Sequence, residues 1–119
     1  MDCWTIESTG DHSYLASIEG DLDLANGRDL VRNLGPLLTV PGNRIELDLS
    51  RVEFIDSSGL QALLIAHRLA VGSTCQMVLV ALSANVERLL DLTGCADRFD
   101  IDGRDAPPRV ESKERAYPS

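Results

Sequence analysis

Apolar and polar residues alternate loosely over Cys3–Glu7 and again over Ser13–Glu19. Thr9-Gly10-Asp11-His12 supplies turn residues between them, so the opening of the chain predicts a β-hairpin. Gly20-Asp21-Leu22-Asp23 breaks the alternation. Leu30, Val31, Leu34 and Leu38 then recur at helical spacing, with Asn26 as the expected N-cap and Asp29 in the favourable first turn. Gly35-Pro36 falls within this pattern. Proline lacks a backbone donor and crowds the preceding turn, so the first helix is expected to kink or end there. Pro41-Gly42-Asn43 reads as a loop.

Ile45, Leu47 and Leu49 alternate with Glu46, Asp48 and Ser50, which predicts a strand with one wetter face, ending near Phe54-Ile55. A second helix is expected from near Ser57. Its predicted buried stripe is Leu60, Leu63, Leu64 and Val71, with Ala66 and Ala70 permitting close approach and Gly72 as a stop. Gln76–Leu82 is a continuous apolar run, the pattern of a buried strand. Ser83 is the expected cap of a third helix that turns Val86, Leu89 and Leu90 to the core and ends at Gly94. Phe99-Asp100-Ile101 reads as a short last strand.

The predicted order is β-β-α-β-α-β-α-β: an α/β fold with a small mixed sheet backed by helices, whose parallel steps require right-handed crossovers. A length of 119 residues fits one domain, placed at 1–102. Residues 103–119 contain Pro107-Pro108, mixed charge and few large apolar residues, and are expected to form a flexible C-terminal tail. Aromatic residues make up only 4% of the chain, so the core must be built from Leu, Val, Ile and Ala.

The formal net charge is −8, which argues against a broad basic face for nucleic acid or an anionic membrane. It suits a protein that meets a basic patch on a partner, and equally one that is merely kept in solution by its charge. Cys3, Cys75 and Cys95 are widely spaced and form no Cys-x-x-Cys pair, so neither a zinc site nor a redox dithiol is expected. Cys75, in an apolar run, is expected to act as a small hydrophobe. The first residues have neither the basic start nor the apolar segment of a signal peptide, and no apolar run is long enough to span a bilayer. These features together point to a reducing cytoplasm.

The chemistry concentrates at Ile55-Asp56-Ser57-Ser58-Gly59-Leu60, where a strand meets a helix. Ser57 as a nucleophile with His67 as its base is excluded by geometry. Ten residues along one helix separate them by about 15 Å. Only folding could bring His12 near, and no Gly-x-Ser-x-Gly elbow occurs. Phosphate-binding glycine loops of the Gly-x-x-x-x-Gly-Lys-Ser/Thr and Gly-x-Gly-x-x-Gly types are also absent, and the only lysine is Lys113. A phosphoaspartate receiver would need a lysine after a late strand and regular strand-helix alternation from the start, and the chain has neither. Asp21 and Asp23 could hold a metal only if folding brought them to Asp56. Two readings of the serines remain. Ser57 or Ser58 caps the helix, or one of them accepts a phosphoryl group at the positive helix end, adding about −1.5 to −2 charge at neutral pH.

At these residues the chain resembles the STAS domain, and within it the anti-sigma factor antagonists of bacteria. Gly20-Asp21-Leu22-Asp23 is similar to the family's Gly-Glu-Leu-Asp, with Asp21 standing where the family carries Glu. Phe54-Ile55-Asp56-Ser57-Ser58-Gly59-Leu60 is similar to its Asp-Ser-Ser/Thr-Gly-Leu signature, and Leu89–Gly94 to its Leu-x-x-x-Gly helix ending. The resemblance spans about Trp4 to Ile101 and implies a switch. The unphosphorylated protein would bind an anti-sigma factor that is also an ATP-dependent serine kinase, and so free a sigma factor. Phosphorylation of Ser57 would end the association, and a phosphatase would reset it. Asp21, Asp23, Asp56, Ser58 and Gly59 would then lie at the partner-binding surface. The chain would be no enzyme and need neither cofactor nor metal, since ATP belongs to the kinase. STAS domains also serve as scaffolds or accessory subunits of transporters and sensory complexes, which is the alternative function.

Overall fold

The computed structural model describes residues 3–102. Strands β1 (Cys3–Gly10) and β2 (Ser13–Leu22) form the expected hairpin. The chain continues through α1 (Leu24–Leu38), β3 (Arg44–Ile55), α2 (Ser57–Gly72), β4 (Gln76–Leu82), α3 (Ala84–Thr93), a short 3-10 turn at Ala96–Arg98 and β5 (Asp100–Ile101). The sheet order is β1-β2-β3-β4-β5, antiparallel between β1 and β2 and parallel thereafter. This is the mixed α/β architecture that the periodicities predict. The tail expected at 103–119 lies outside the described residues.

Successive parallel neighbours joined by crossovers of one hand must carry all their helices on one face of the sheet. The burial agrees. Ile45, Leu47 and Leu49 of β3 share a single core with Leu30 and Leu34 of α1, Leu63 of α2 and Leu90 of α3. The alternate positions Arg44, Glu46 and Asp48 are half-exposed on the opposite, open face. There Asp48 accepts hydrogen bonds from the backbone N–H and the hydroxyl of Ser50, at 2.9 and 2.6 Å.

Four local expectations are corrected. First, β2 does not stop at Glu19. It runs through Gly20 and Asp21 to Leu22 by way of register shifts, one at Ser17/Glu19 and one at Gly20/Asp21, with Gly20 at φ 101°. Only a residue without a Cβ takes that conformation at little cost. Second, α1 follows β2 directly, and its N-cap is Asp23 rather than Asn26. The Asn26 backbone N–H is instead the donor to Asp23 Oδ1, at 3.1 Å.

Third, of the two outcomes expected at Gly35-Pro36, a kink or an end, the end is ruled out: α1 encloses Pro36 and runs to Leu38. The missing N–H costs about 3 kcal/mol. Completely burying Leu34 and Leu38 on the same stripe offsets it, at about 1.5–3 kcal/mol for each side chain. Fourth, Val71 is 64% exposed. The buried stripe of α2 is Leu60, Leu63, Ala66 and Ala70, and Val71 lies about 100° around the helix from Ala70. Cys75, a free thiol in the turn before β4, is half-buried and packs against the core as the small hydrophobe expected, with its Sγ 2.7 Å from the Val40 carbonyl oxygen.

Candidate functional site

The register of β2 against β3 pairs Leu22 with Ile55. One residue beyond each, Asp23 and Asp56 close the two strands and cap the two helices that follow. Adjacent strands lie about 4.8 Å apart, so the sheet sets two helix N-termini side by side. Each presents unpaired backbone N–H groups and the positive end of a helix dipole. At Asp23, Oδ1 accepts from Asn26 N–H at 3.1 Å. At Asp56, Oδ1 accepts from Gly59 N–H at 3.0 Å. Ser83 repeats the device beyond β4, its hydroxyl accepting from Val86 N–H at 3.3 Å.

The α2 cap is therefore Asp56, and neither serine holds that position. Ser57 is the first residue of the helix, and it is exposed. Ser58 follows it and is half-buried. Gly59 is buried where α2 crosses the end of β2. A Cβ built on it would stand 2.0 Å from the Leu22 carbonyl oxygen and 2.8 Å from the carbonyl carbon. No side chain fits that gap, and the Asp56 N–H also points to the Leu22 oxygen, at 3.4 Å. Gly59 thus clamps the first turn of α2, and the Ser57 hydroxyl with it, to the edge of the sheet.

Of the six residues singled out in the sequence, Asp23, Asp56, Ser57, Ser58 and Gly59 gather at this edge. Asp21 is exposed within β2, in register with Phe54. It adds a third carboxylate to the neighbourhood, and its backbone carbonyl accepts from Asn26 Nδ2 at 2.8 Å. Among the described residues, no group of three or more His, Cys, Asp or Glu side chains could hold a metal ion. Neither histidine is close to Ser57. His67 makes an edge-to-face ring contact with Phe99 at 5.5 Å. His12 bonds Asn43 beside the first residue of β3, whose twelve residues separate it from Ser57 by about 36–40 Å.

Three features of the surface escape sequence reasoning. Leu24 and Phe54 are 55% and 51% exposed, at the start of α1 and near the end of β3, on the same edge of the sheet as Ser57. Gly27 is buried where α1 meets α2, its ideal Cβ position 2.9 Å from the Ala62 Cβ. A glycine inside a helical pattern is a signal of such close approach. Beside this contact a groove of about 340 Å³ runs between the helices, lined among others by Leu24, Arg28, Val31, Ser58 and Ile65.

A one-sided mixed sheet of this order, with a serine beside two capped helix starts, defines a STAS domain. The chain belongs to that family: residues 4–101 match the family model described as "Mlab, STAS domain". It is similar to BtrV of Bordetella bronchiseptica, provisionally named an anti-sigma factor antagonist. The two are 25% identical over 91 residues, covering 76% of this chain and 78% of that protein. Among solved structures it is similar to an anti-sigma factor antagonist from Mycobacterium paratuberculosis. That match has a TM-score of 0.71 and 25% identity, and covers 87% of this chain and 86% of the other. The fold alone is shared with the anti-sigma factor antagonist SpoIIAA. Its unphosphorylated form superposes with a TM-score of 0.68 at 17% identity, covering 86% of this chain and 90% of the other. Among the described residues, no helix is long and apolar enough to cross a membrane.

Proposed function

We propose that this chain is a phosphorylation-controlled antagonist of an anti-sigma factor that is itself a serine kinase, with Ser57 as the acceptor. Unphosphorylated, it occupies the anti-sigma factor and frees a sigma factor. When the kinase transfers the γ-phosphoryl group of its own ATP to the Ser57 oxygen, ADP leaves, the hydroxyl proton passes to a base on the kinase, and the complex separates. A phosphatase removes the group. The relatives named anti-sigma factor antagonists support the partner class.

One observation carries the reading: Asp56, not Ser57, caps α2, so an exposed hydroxyl on the first turn is left out of the capping bond. A phosphate there meets the positive end of α2, which the host helix tolerates. A docked partner faces a new dianion beside Asp56 and Asp23. An uncompensated charge buried in an interface costs about 3–5 kcal/mol, or roughly a hundredfold to several thousandfold in affinity. Asp21, Asp23, Asp56, Ser58 and Gly59 form or shape the surface that the partner reads.

The test is incubation with the cognate kinase and ATP, followed by mass spectrometry. One phosphate is expected, and none in Ser57→Ala. Labelling that survives in that variant but disappears in Ser58→Ala would make Ser58 the acceptor and overturn the assignment of Ser57. Calorimetry of Ser57→Asp should show weakened kinase binding, and unchanged affinity would remove charge as the switch. The matched family model is described as "Mlab, STAS domain", words that name no sigma-factor regulator, and this supports a second reading, an accessory subunit of a transporter or sensory complex. Recovery of a transport ATPase rather than a serine kinase in a pull-down would select it.

A further inference from the structure

The outer surface of the α1–α2 layer is chemically unlike the rest of the molecule. Over both helices the ionised side chains are Arg28, Arg32 and Arg68 against Asp29 alone, in a chain of net charge −8. The groove between the helices is apolar at its floor, where Gly27 meets Ala62, and along its walls at Leu24, Val31 and Ile65. Leu24 is 55% and Ile65 40% exposed, while Arg28 and Arg32 stand on the same wall, Arg32 3.6 Å from Asp29 in an exposed pair that water screens. Ser58 lines the upper end, one residue from the proposed acceptor.

We infer that this groove docks an amphipathic helix of a partner protein, with apolar anchors on its inner face and carboxylates along its flank. The inference rests on the proposed function only in assigning that partner to the same edge as Ser57. The shape argues for a helix. From Leu24 to Arg32 and from Ser58 to Ile65 the walls are each about two turns long, about 10–12 Å, which matches side chains at i, i+3, i+4 and i+7. The backbone N–H and C=O groups within helices are already paired, so an added strand would find no ladder here. Charge then selects the occupant. Arginines on an apolar wall attract carboxylates and reject a basic helix. The chain's own residues 103–119 carry Arg104, Arg109, Lys113 and Arg115 against Asp105, Glu111 and Glu114, and so offer no excess of carboxylates to this groove.

Two fluorescein-labelled helical peptides test the inference against the full-length protein by polarisation. Both carry Leu at i, i+3, i+4 and i+7; one is flanked by Glu and the other by Lys. The Glu peptide should bind at least ~10-fold more tightly at low salt, with the difference shrinking as salt rises. Arg28→Glu with Arg32→Glu should reverse the preference, and Ile65→Ser should weaken both peptides ~10-fold. Equal binding of the two peptides, or a preference untouched by the charge reversal, overturns the inference. So does sedimentation showing a dimer that Ile65→Glu abolishes, or nuclear Overhauser contacts from Val110 or Tyr117 to Leu24 or Ile65, because each names another occupant. Neither kinase nor ATP takes part. A chain labelled on Ser57 yet indifferent to peptide charge sinks only this inference, and the converse result sinks only the phosphorylation switch.

Discussion

The two ends of the parallel strands are held by different kinds of hydrogen bond. At the end that carries Ser57, the side-chain bonds of the caps are local. Asp23, Asp56 and Ser83 each accept from a backbone N–H three residues further on. At the opposite end the bonds cross between elements. Asn43, only 4% exposed, donates from Nδ2 to the Leu37 carbonyl at 2.9 Å and accepts from His12 Nδ1 at 3.2 Å. Its carbonyl accepts from Gln76 N–H at 2.9 Å, while Arg44 N–H reaches the His12 carbonyl at 2.7 Å. That end stitches the hairpin turn, the end of α1 and the starts of β3 and β4 together. At the Ser57 end the three capping side chains serve their own helices, cross-element bonds run from Asp56 N–H to Leu22, from Ser83 N–H to Leu49 and from Asn85 Nδ2 to Glu53, and Leu24, Phe54 and Ser57 stay exposed. On the proposed function, the buried cross-element network and the recognition surface fall at opposite edges of one sheet.

The largest expected effect is the exception to this division. Gly59→Ala should destabilise the fold by about 3 kcal/mol or more, because its methyl group would overlap the Leu22 carbonyl and neither backbone can withdraw cheaply. Chemical denaturation measures it, and a loss below about 1 kcal/mol would mean that α2 is not clamped to β2. Next comes Asn43→Ala at the stitched end, where the Leu37 carbonyl loses its side-chain donor in a buried site. About 2 kcal/mol is expected, with no change in partner binding. A comparable loss of binding would break the separation of the two edges. Asp56→Ala should cost about 1 kcal/mol, the usual worth of an N-cap. Ser57→Ala should stay within about 0.5 kcal/mol of the parent, as befits an exposed residue that is not the cap. If these two values were exchanged, Ser57 would be the cap and the local geometry described above would be wrong.

Much of the fold is legible in the sequence, because the short-range periods are undisturbed. Gln76–Leu82 and Arg44–Ile55 form strands at those positions, and Ser83 and Gly94 bound α3 as expected. What is not legible depends on neighbours. Asp56, Ser57 and Ser58 are all good capping residues, and composition cannot rank three in a row. The choice falls to the pairing of Leu22 with Ile55, which fixes where β3 stops. Asn26 was the expected cap of α1 for the same reason: nothing local reveals that β2 continues three residues past Glu19. Pro36 shows burial overriding a local breaker. The candidate site is visible as a motif, but the exposure of Leu24 and Phe54 beside it depends on the packed sheet.

The strand order carries a consequence for synthesis. Every strand from β2 onward pairs first with the strand made immediately before it. As the polypeptide leaves the ribosome, each new strand finds a neighbouring edge already displayed, and no pairing partner is still waiting to be translated. Assembly can therefore run vectorially from the hairpin outward, adding one βα unit at a time and keeping the loop closed at each step short.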